Sequence, residues 1–224
     1  MKLAVLSDFD GTVTLNDTFQ NIVEKFGQGD WRSVDDQYVK GEITLEECLR
    51  RQGGMVRASK SQLLDELDQV TKFRPGFDNL AEYCKTNYYY PLVLVSAGLD
   101  FVIKYFLTRE NLMDKVELFA AVAKCTPMGI KFDFLKLRDN RSMSFKDYTV
   151  RYYKTRADTV AYIGVGRWDL QALRNADLRF AIKNSTLAEL CEEQEIQTTI
   201  VADFTEVVTS LQKEMSERDS RQGK

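Results

Sequence analysis

Short unbroken apolar runs alternate along this chain with longer stretches in which apolar residues recur every three or four positions. Leu3-Ala4-Val5-Leu6, Leu92-Val93-Leu94-Val95, Thr159 to Gly164 and Leu178 to Ile182 lack polar alternation. That is the pattern of strands covered on both faces, as in parallel sheets. Between the first two runs only helical spacing occurs. Asn16 or Asp17 can cap a helix carrying Phe19, Ile22, Val23 and Phe26, with Gly27 and Gly29 ending it. Asp30 opens a segment through Val39, and Thr44-Leu45-Glu46-Glu47 is a capping-box pattern for a helix running toward Gly53-Gly54. Ser61 starts a fourth helix with Leu63, Leu64, Leu67 and Val70, and Pro75-Gly76 precedes another with Leu80, Ala81 and Tyr83.

After the second apolar run the rhythm becomes strand and helix in turn. Phe101, Val102, Tyr105 and Phe106 make a helix face, and Val116 to Ala123 with Ile130 to Leu135 read as a hairpin broken near Pro127-Met128-Gly129. Helices are expected from Phe145 to Lys154, Asp169 to Asn175 and Leu187 to Glu192. A short strand, Thr199 to Ala202, leads to a last helix capped by Asp203 or Thr205, which frays beyond Met215. A crossover between parallel strands needs only about a dozen residues, so the helical surplus after the first strand reads as an insertion. The expected architecture is a doubly wound α/β core of parallel strands, residues 1–14 and 75–213, with a small β-hairpin. A helical cap, 15–74, would lie over the crevice, and 214–224 would form a frayed tail.

Composition narrows the chemistry. The 224 residues include 44% hydrophobic and 29% charged residues with a formal net charge of -3, so neither nucleic acid nor a membrane surface is an expected partner. Cys48, Cys84, Cys125 and Cys191 form no C-x-x-C pair, which reads as reduced thiols in a cytoplasmic setting. No histidine occurs. Imidazole bases, Ser-His triads and His-ligated metals are therefore excluded, and proton transfer falls to carboxylates, an amine, Tyr or Cys.

The first apolar run ends in Ser7-Asp8-Phe9-Asp10-Gly11-Thr12. Strand carboxyl ends of an open α/β sheet border the ligand crevice, so Asp8 and Asp10 should face it, and a glycine beside them lets backbone N–H groups approach an anion. Read alone, the same hexapeptide is also an ordinary Asp-Gly turn. Two further strand ends carry polar, small-residue loops: Ser96-Ala97-Gly98, and Gly164-Val165-Gly166 with Asp169. Lys146 stands in the first turn of a helix, a poor place for a cation unless an anion is near. Ser96 could equally cap a helix, and Asp169 could be a helix first-turn acid. Converging carboxylates, a hydroxyl and an amine around glycines suit a phosphate and a divalent cation.

These segments resemble the haloacid dehalogenase superfamily of phosphatases. Asp8-Phe9-Asp10-Gly11-Thr12 is its first motif, Val95-Ser96-Ala97-Gly98 looks like its second, Lys146 fits its third, and Gly164 to Asp169 falls at its fourth. The all-helical insertion after the first motif is similar to the phosphoserine phosphatase-like branch. The resemblance implies two-step hydrolysis of a small phosphorylated metabolite, in which Asp8 attacks phosphorus and Asp10 protonates the leaving oxygen, then activates water. Ser96 and Lys146 would hold phosphoryl oxygens, with Gly11, Thr12, Ala97 and Gly98 around the phosphate. Asp17 and Arg50 are the candidates for substrate contact. Mg²⁺ would bind the Asp8 carboxylate, the Asp10 carbonyl and the fourth-motif acid, Asp169. One departure stands out: where the family's fourth motif reads Gly-Asp-x-x-x-Asp, Val165 replaces the first Asp and offers no oxygen. Asp169 could move inward or water could fill the position, so two functions stay open: a phosphatase needing more Mg²⁺, or a non-catalytic relative that binds a phosphorylated ligand or a protein. A phospho-receiver domain and a dinucleotide-binding domain rank lower, because a long helical insertion follows the first strand and no G-x-G-x-x-G does.

Overall fold

The computed structural model describes residues 2–137, 142 and 144–222. Seven strands form one sheet in the order β4-β3-β2-β1-β5-β6-β7. β1 (Leu3–Ser7), β2 (Leu92–Leu99), β5 (Thr159–Gly164), β6 (Leu178–Ile182) and β7 (Thr199–Val201) are parallel neighbours, and β3 (Val116–Thr126) joins β2 in the same sense. Only β4 (Gly129–Asp133) runs antiparallel, on β3. The apolar runs behave as their composition dictates. Leu3 and Val5 pack on one face of the sheet with Leu94, Phe106 and Phe204, and Ala4 and Leu6 pack on the other with Val93, Tyr153 and Leu173.

Four helices, α1 (Thr18–Phe26), α2 (Trp31–Val39), α3 (Leu45–Met55) and α4 (Lys60–Val70), stand between β1 and α5 (Phe77–Asn87). The chain leaves and re-enters the sheet layer through a bridge between Thr14 and Phe73. Asp17, Asp30 and Thr44 cap α1, α2 and α3 with their side chains. The fourth helix begins earlier than its leucine spacing indicated, because Ser59 and Gln62 form a reciprocal capping box ahead of Ser61. The remaining helices are α6 (Asp100–Arg109), α7 (Phe145–Lys154), α8 (Leu170–Asn175), α9 (Thr186–Glu193) and α10 (Phe204–Gln222). α10 continues past Met215, where fraying was expected, and Asp203 rather than Thr205 holds its first amides.

The hairpin does two jobs. β3 is both a sheet member beside β2 and the partner of β4, whereas the sequence pattern showed only the hairpin. Its far end clasps the inserted helices. Phe132 sits against Gly53, where a Cβ would lie 2.7 Å from its ring, and stacks edge-on to Phe19. Arg57 donates to the carbonyl of Met128 at 3.2 Å.

Arg74 fixes the loop after β1. Its guanidinium donates to the carbonyls of Thr12 at 2.9 Å, Gly11 at 2.8 Å and Ala202 at 3.3 Å, tying that loop to the end of β7. Arg74→Met should remove charge-assisted bonds of about 2 kcal/mol in sum. Thermal unfolding should then occur roughly 4–8 °C lower; an unchanged midpoint would show that the clamp carries no load.

Candidate active site

The site lies where β1, β2 and β5 end. Asp8 extends the β1–β5 ladder by one residue, its N–H donating to the Ile163 carbonyl at 3.0 Å. The loop then turns at Gly11, whose φ of 72° is the left-handed conformation glycine tolerates best. Asp10 comes round beside β2: its Oδ1 accepts from the Thr18 N–H at 3.0 Å and the Thr18 hydroxyl at 2.5 Å, and its Oδ2 from the Ser96 hydroxyl at 3.4 Å. A Cβ at residue 98 would stand 2.3 Å from Asp10 Oδ2, so only glycine allows this approach.

Lys146 comes from the first turn of α7, whose N-cap is Ser144. Its ammonium is buried 2.7 Å from Asp8 Oδ1 and 2.7 Å from Asp169 Oδ1. An ammonium has three protons, so one remains for a further acceptor. Burial depresses a lysine's basicity, but the two carboxylates outweigh it and hold Lys146 above the usual amine range. Burial is also the largest influence on Asp8, which with Asp169 nearby is pushed up to about 7 against the pull of Lys146. Asp10 is pushed up to about 7 by burial and then by Asp17, against the hydrogen bonds from Thr18.

Asp8, Asp10, Ser96, Ala97, Gly98, Lys146, Asp169 and Asp17 all line one cavity of about 200 Å³. Three expectations need correction. Gly11 donates its N–H to the Asn16 carbonyl and the Thr14 hydroxyl, so that amide is not offered to an anion. Thr12 is buried beneath the loop with its hydroxyl on Asp8 Oδ2 at 3.3 Å, where it orients the carboxylate instead of lining the cavity. Arg50 lies outside, paired with Glu46 and set over the Phe134 ring. Asp17 lines the cavity while its Oδ1 caps α1 through the Gln20 N–H.

The metal set also changes. Asp169 Oδ1 accepts from Lys146 and from the Tyr162 hydroxyl at 2.7 Å, and its Oδ2 from the N–H groups of Val165 at 3.0 Å and Gly166 at 2.9 Å. Its four lone-pair positions are thereby filled. It orients Lys146 and is not available to a cation. Val165 lines the cavity, with a methyl 3.3 Å from where a Cβ on Gly11 would stand, so the position reaches the loop that carries Asp10. No group of three or more acidic or thiol side chains among the described residues could hold a metal ion. What remains is Asp8 Oδ2 and the Asp10 carbonyl, to which no donor is directed among the described residues. Such a pair fits Mg²⁺ in the way that ion is commonly held, by one carboxylate with waters and substrate phosphate completing the octahedron, and not in a closed protein cage.

Several partners were not legible as site residues. Tyr162 was hidden in an apolar strand, although a buried phenol implies a hydrogen-bond partner. Thr18 and the roof pair Tyr38 and Trp168, stacked at 4.6 Å across the cavity, carried no motif.

The sheet order, the acids at the end of β1 and the lysine of α7 fit the resemblance to haloacid dehalogenase-type phosphatases read from the motifs, and the comparisons bear out that resemblance. The chain is 27% identical over 213 residues to the 2-hydroxy-3-keto-5-methylthiopentenyl-1-phosphate phosphatase of Bacillus velezensis, covering 93% of this chain and 89% of that one. It is 26% identical over 221 residues to the Pdp3-interacting factor 1 of Schizosaccharomyces pombe, covering 95% and 96%. A phospho-aspartyl intermediate analogue of phosphoserine phosphatase shares the fold with a TM-score of 0.69 at 17% identity, over 93% of this chain and 98% of that one. No family model matches the chain.

Raised carboxylate values have a stability signature. Asp10 keeps its proton in the folded chain up to about 7, whereas a free Asp gives it up near 3.8. The folded state then binds the extra proton, so its stability falls as pH rises from about 4 to about 7. Asp10→Asn keeps an oxygen for Thr18 and removes this penalty. It should unfold roughly 2–4 °C higher than the parent at pH 8, for about 1 kcal/mol, and match it near pH 4. A difference that did not shrink on acidification would refute the assignment.

Proposed function

We propose that this chain hydrolyses a small phosphomonoester through an aspartyl-phosphate on Asp8. The observation that carries the reading is the buried Lys146 ammonium 2.7 Å from Asp8 in a cavity that also holds Asp10. Asp8 Oδ1, beside the Lys146 ammonium that also meets the phosphoryl group, attacks phosphorus, while Oδ2, met by the Thr12 hydroxyl, stays open to the ion. The ester P–O bond breaks as the Asp8–phosphorus bond forms. Asp10, ordinarily too acidic for the task but raised to about 7, gives its proton to the leaving oxygen and then takes one from the water that cleaves the acyl phosphate. The spare Lys146 proton and the Ser96 hydroxyl meet phosphoryl oxygens. Asp8 and the Asp10 carbonyl would hold Mg²⁺, which supplies charge neutralisation when bound.

The upper half of the cavity argues for the kind of alcohol released. Phe19, Tyr38, Leu45, Leu49 and Trp168 wall it, Asp17 and Asp35 are its charged residues, and Lys146 is the one cation among its described lining residues. A carboxylate or second phosphate on the substrate would be desolvated there beside two carboxylates, with no cation of the described upper lining to offset its charge. The ester's body is therefore uncharged, in line with the name of the Bacillus velezensis relative and unlike phosphoserine. Residues 15–74 act as the cap that makes this choice. The small phosphorylated metabolite is the partner this reading implies. No helix among the described residues is long and apolar enough to cross a bilayer. The four free cysteines, three of them buried, support a reducing, cytoplasmic setting.

A second reading, capture of a phosphorylated ligand without turnover, draws its support from Val165. Phosphate release from a panel of esters at high Mg²⁺ separates the two. Phenyl or propyl phosphate should be hydrolysed with kcat/KM about 100-fold above phosphoserine, and Asp8→Asn should lower the rate by about 1,000-fold or more. A residual rate equal to the parent's in Asp8→Asn would end the hydrolytic reading. Release that appears only in Val165→Asp would establish capture instead.

A further inference from the structure

We infer that Mg²⁺ and the phosphorylated ligand enter this centre only as a pair, each completing the binding site of the other. The inference rests on the phosphomonoester reading and adds a mutual dependence to it.

The chain's own donors are too few to hold the ion. Asp8 has one carboxylate oxygen committed to Lys146, and the other is met, among the described residues, by the Thr12 hydroxyl alone. Asp169 is filled by Lys146, Tyr162 and the amides of residues 165 and 166. At residue 165, which borders the cavity beside the Asp10 loop, a branched hydrocarbon stands. One free carboxylate oxygen and one carbonyl leave a strongly hydrated dication largely in water, and that arrangement repays little of its dehydration.

A phosphoryl group alone fares no better. Asp8 and Asp10 flank its place, Asp17 and Asp35 lie further up the same cavity, and Lys146 already serves two carboxylates. A dianion entering that field finds one ammonium proton, the neutral Ser96 hydroxyl and net repulsion from the carboxylates. When both arrive, phosphoryl oxygens become the hard charged ligands that residue 165 does not provide, and the ion offsets the repulsion that excludes the dianion. Coupling of this kind is reciprocal: whatever factor the ion adds to phosphate affinity, phosphate adds to that of the ion. An acid at residue 165 would preform the ion's site and so weaken the mutual dependence.

Isothermal titration on the full chain tests this with inorganic phosphate and Mg²⁺ as probes. Four arms are needed: Mg²⁺ with and without saturating phosphate, and phosphate in Mg²⁺ and in EDTA. Each ligand should bind about 100-fold more tightly in the presence of the other, with equal factors in the two directions. Val165→Asp should bind Mg²⁺ alone about 10–100-fold more tightly than the parent, and its coupling factor should shrink accordingly. Val165→Asn, which supplies an uncharged oxygen, replaces it if the aspartate does not fold. Mg²⁺ binding to the parent with equal affinity in both arms would overturn the coupling and leave the phosphomonoester reading standing. Failure of phosphate to bind parent and variant in every arm would overturn both.

Discussion

One buried ammonium organises the centre. Lys146 sits between Asp8 and Asp169 at equal distances of 2.7 Å, and each neighbour is anchored by a different strand. Removing one partner of a buried charge set typically costs about 3–5 kcal/mol, because it strands the rest without compensation. The geometry is therefore stiff in the sense that matters for chemistry: Asp8 cannot rotate without breaking the bond to Lys146, and Lys146 cannot move without releasing Asp169. The dipole of α7 opposes a cation at its N-terminus, so two acids are needed to keep it there.

Around that bridge the fold supplies rigid supports in preference to extra charges. Tyr162 and two backbone amides saturate Asp169, Thr18 and Ser96 aim Asp10, and Arg74 holds the carbonyls of Gly11 and Thr12. The result is a floor rich in carboxylates whose positions are over-determined and whose charges are under-compensated. Burial first, and then the neighbouring carboxylates, make both carboxyl groups at the end of β1 hold their protons unusually tightly. The departure at Val165 deepens the imbalance, since the side chain there contributes neither an oxygen nor a charge to attract a cation.

Much of this could be read from the residues. Unbroken runs such as Leu3 to Leu6 and Leu92 to Val95 announced buried parallel strands, and strand ends with Asp8, Ser96 and Gly164 announced the crevice, because apolar continuity and strand polarity are local properties of sequence. What depended on side-chain reach was hidden. Arg50 sat in the right segment, but its helix turns it toward Glu46 and Phe134. Asp169 had the right chemistry, yet four donors from residues as distant as Lys146 consume it. Gly11 had the right flexibility, but its amide is spent within its own turn. The early start of α4 and the double use of β3 escaped for a similar reason: reciprocal capping and sheet membership are settled by partners, not by periodicity.

The clasp between the hairpin and α3 bears on how a guest gets in. Phe132 fills the hollow over Gly53, and Arg57 grips the hairpin's turn, so that border of the helical lid is riveted down. Elsewhere Asp68 of α4 pairs with Arg109 of α6 at 2.6 Å, and Tyr38 of α2 lies on the Trp168 ring. The inserted helices thus meet the rest of the chain through polar fastenings at the hairpin and at α6, and beside the indole through the faces of two rings.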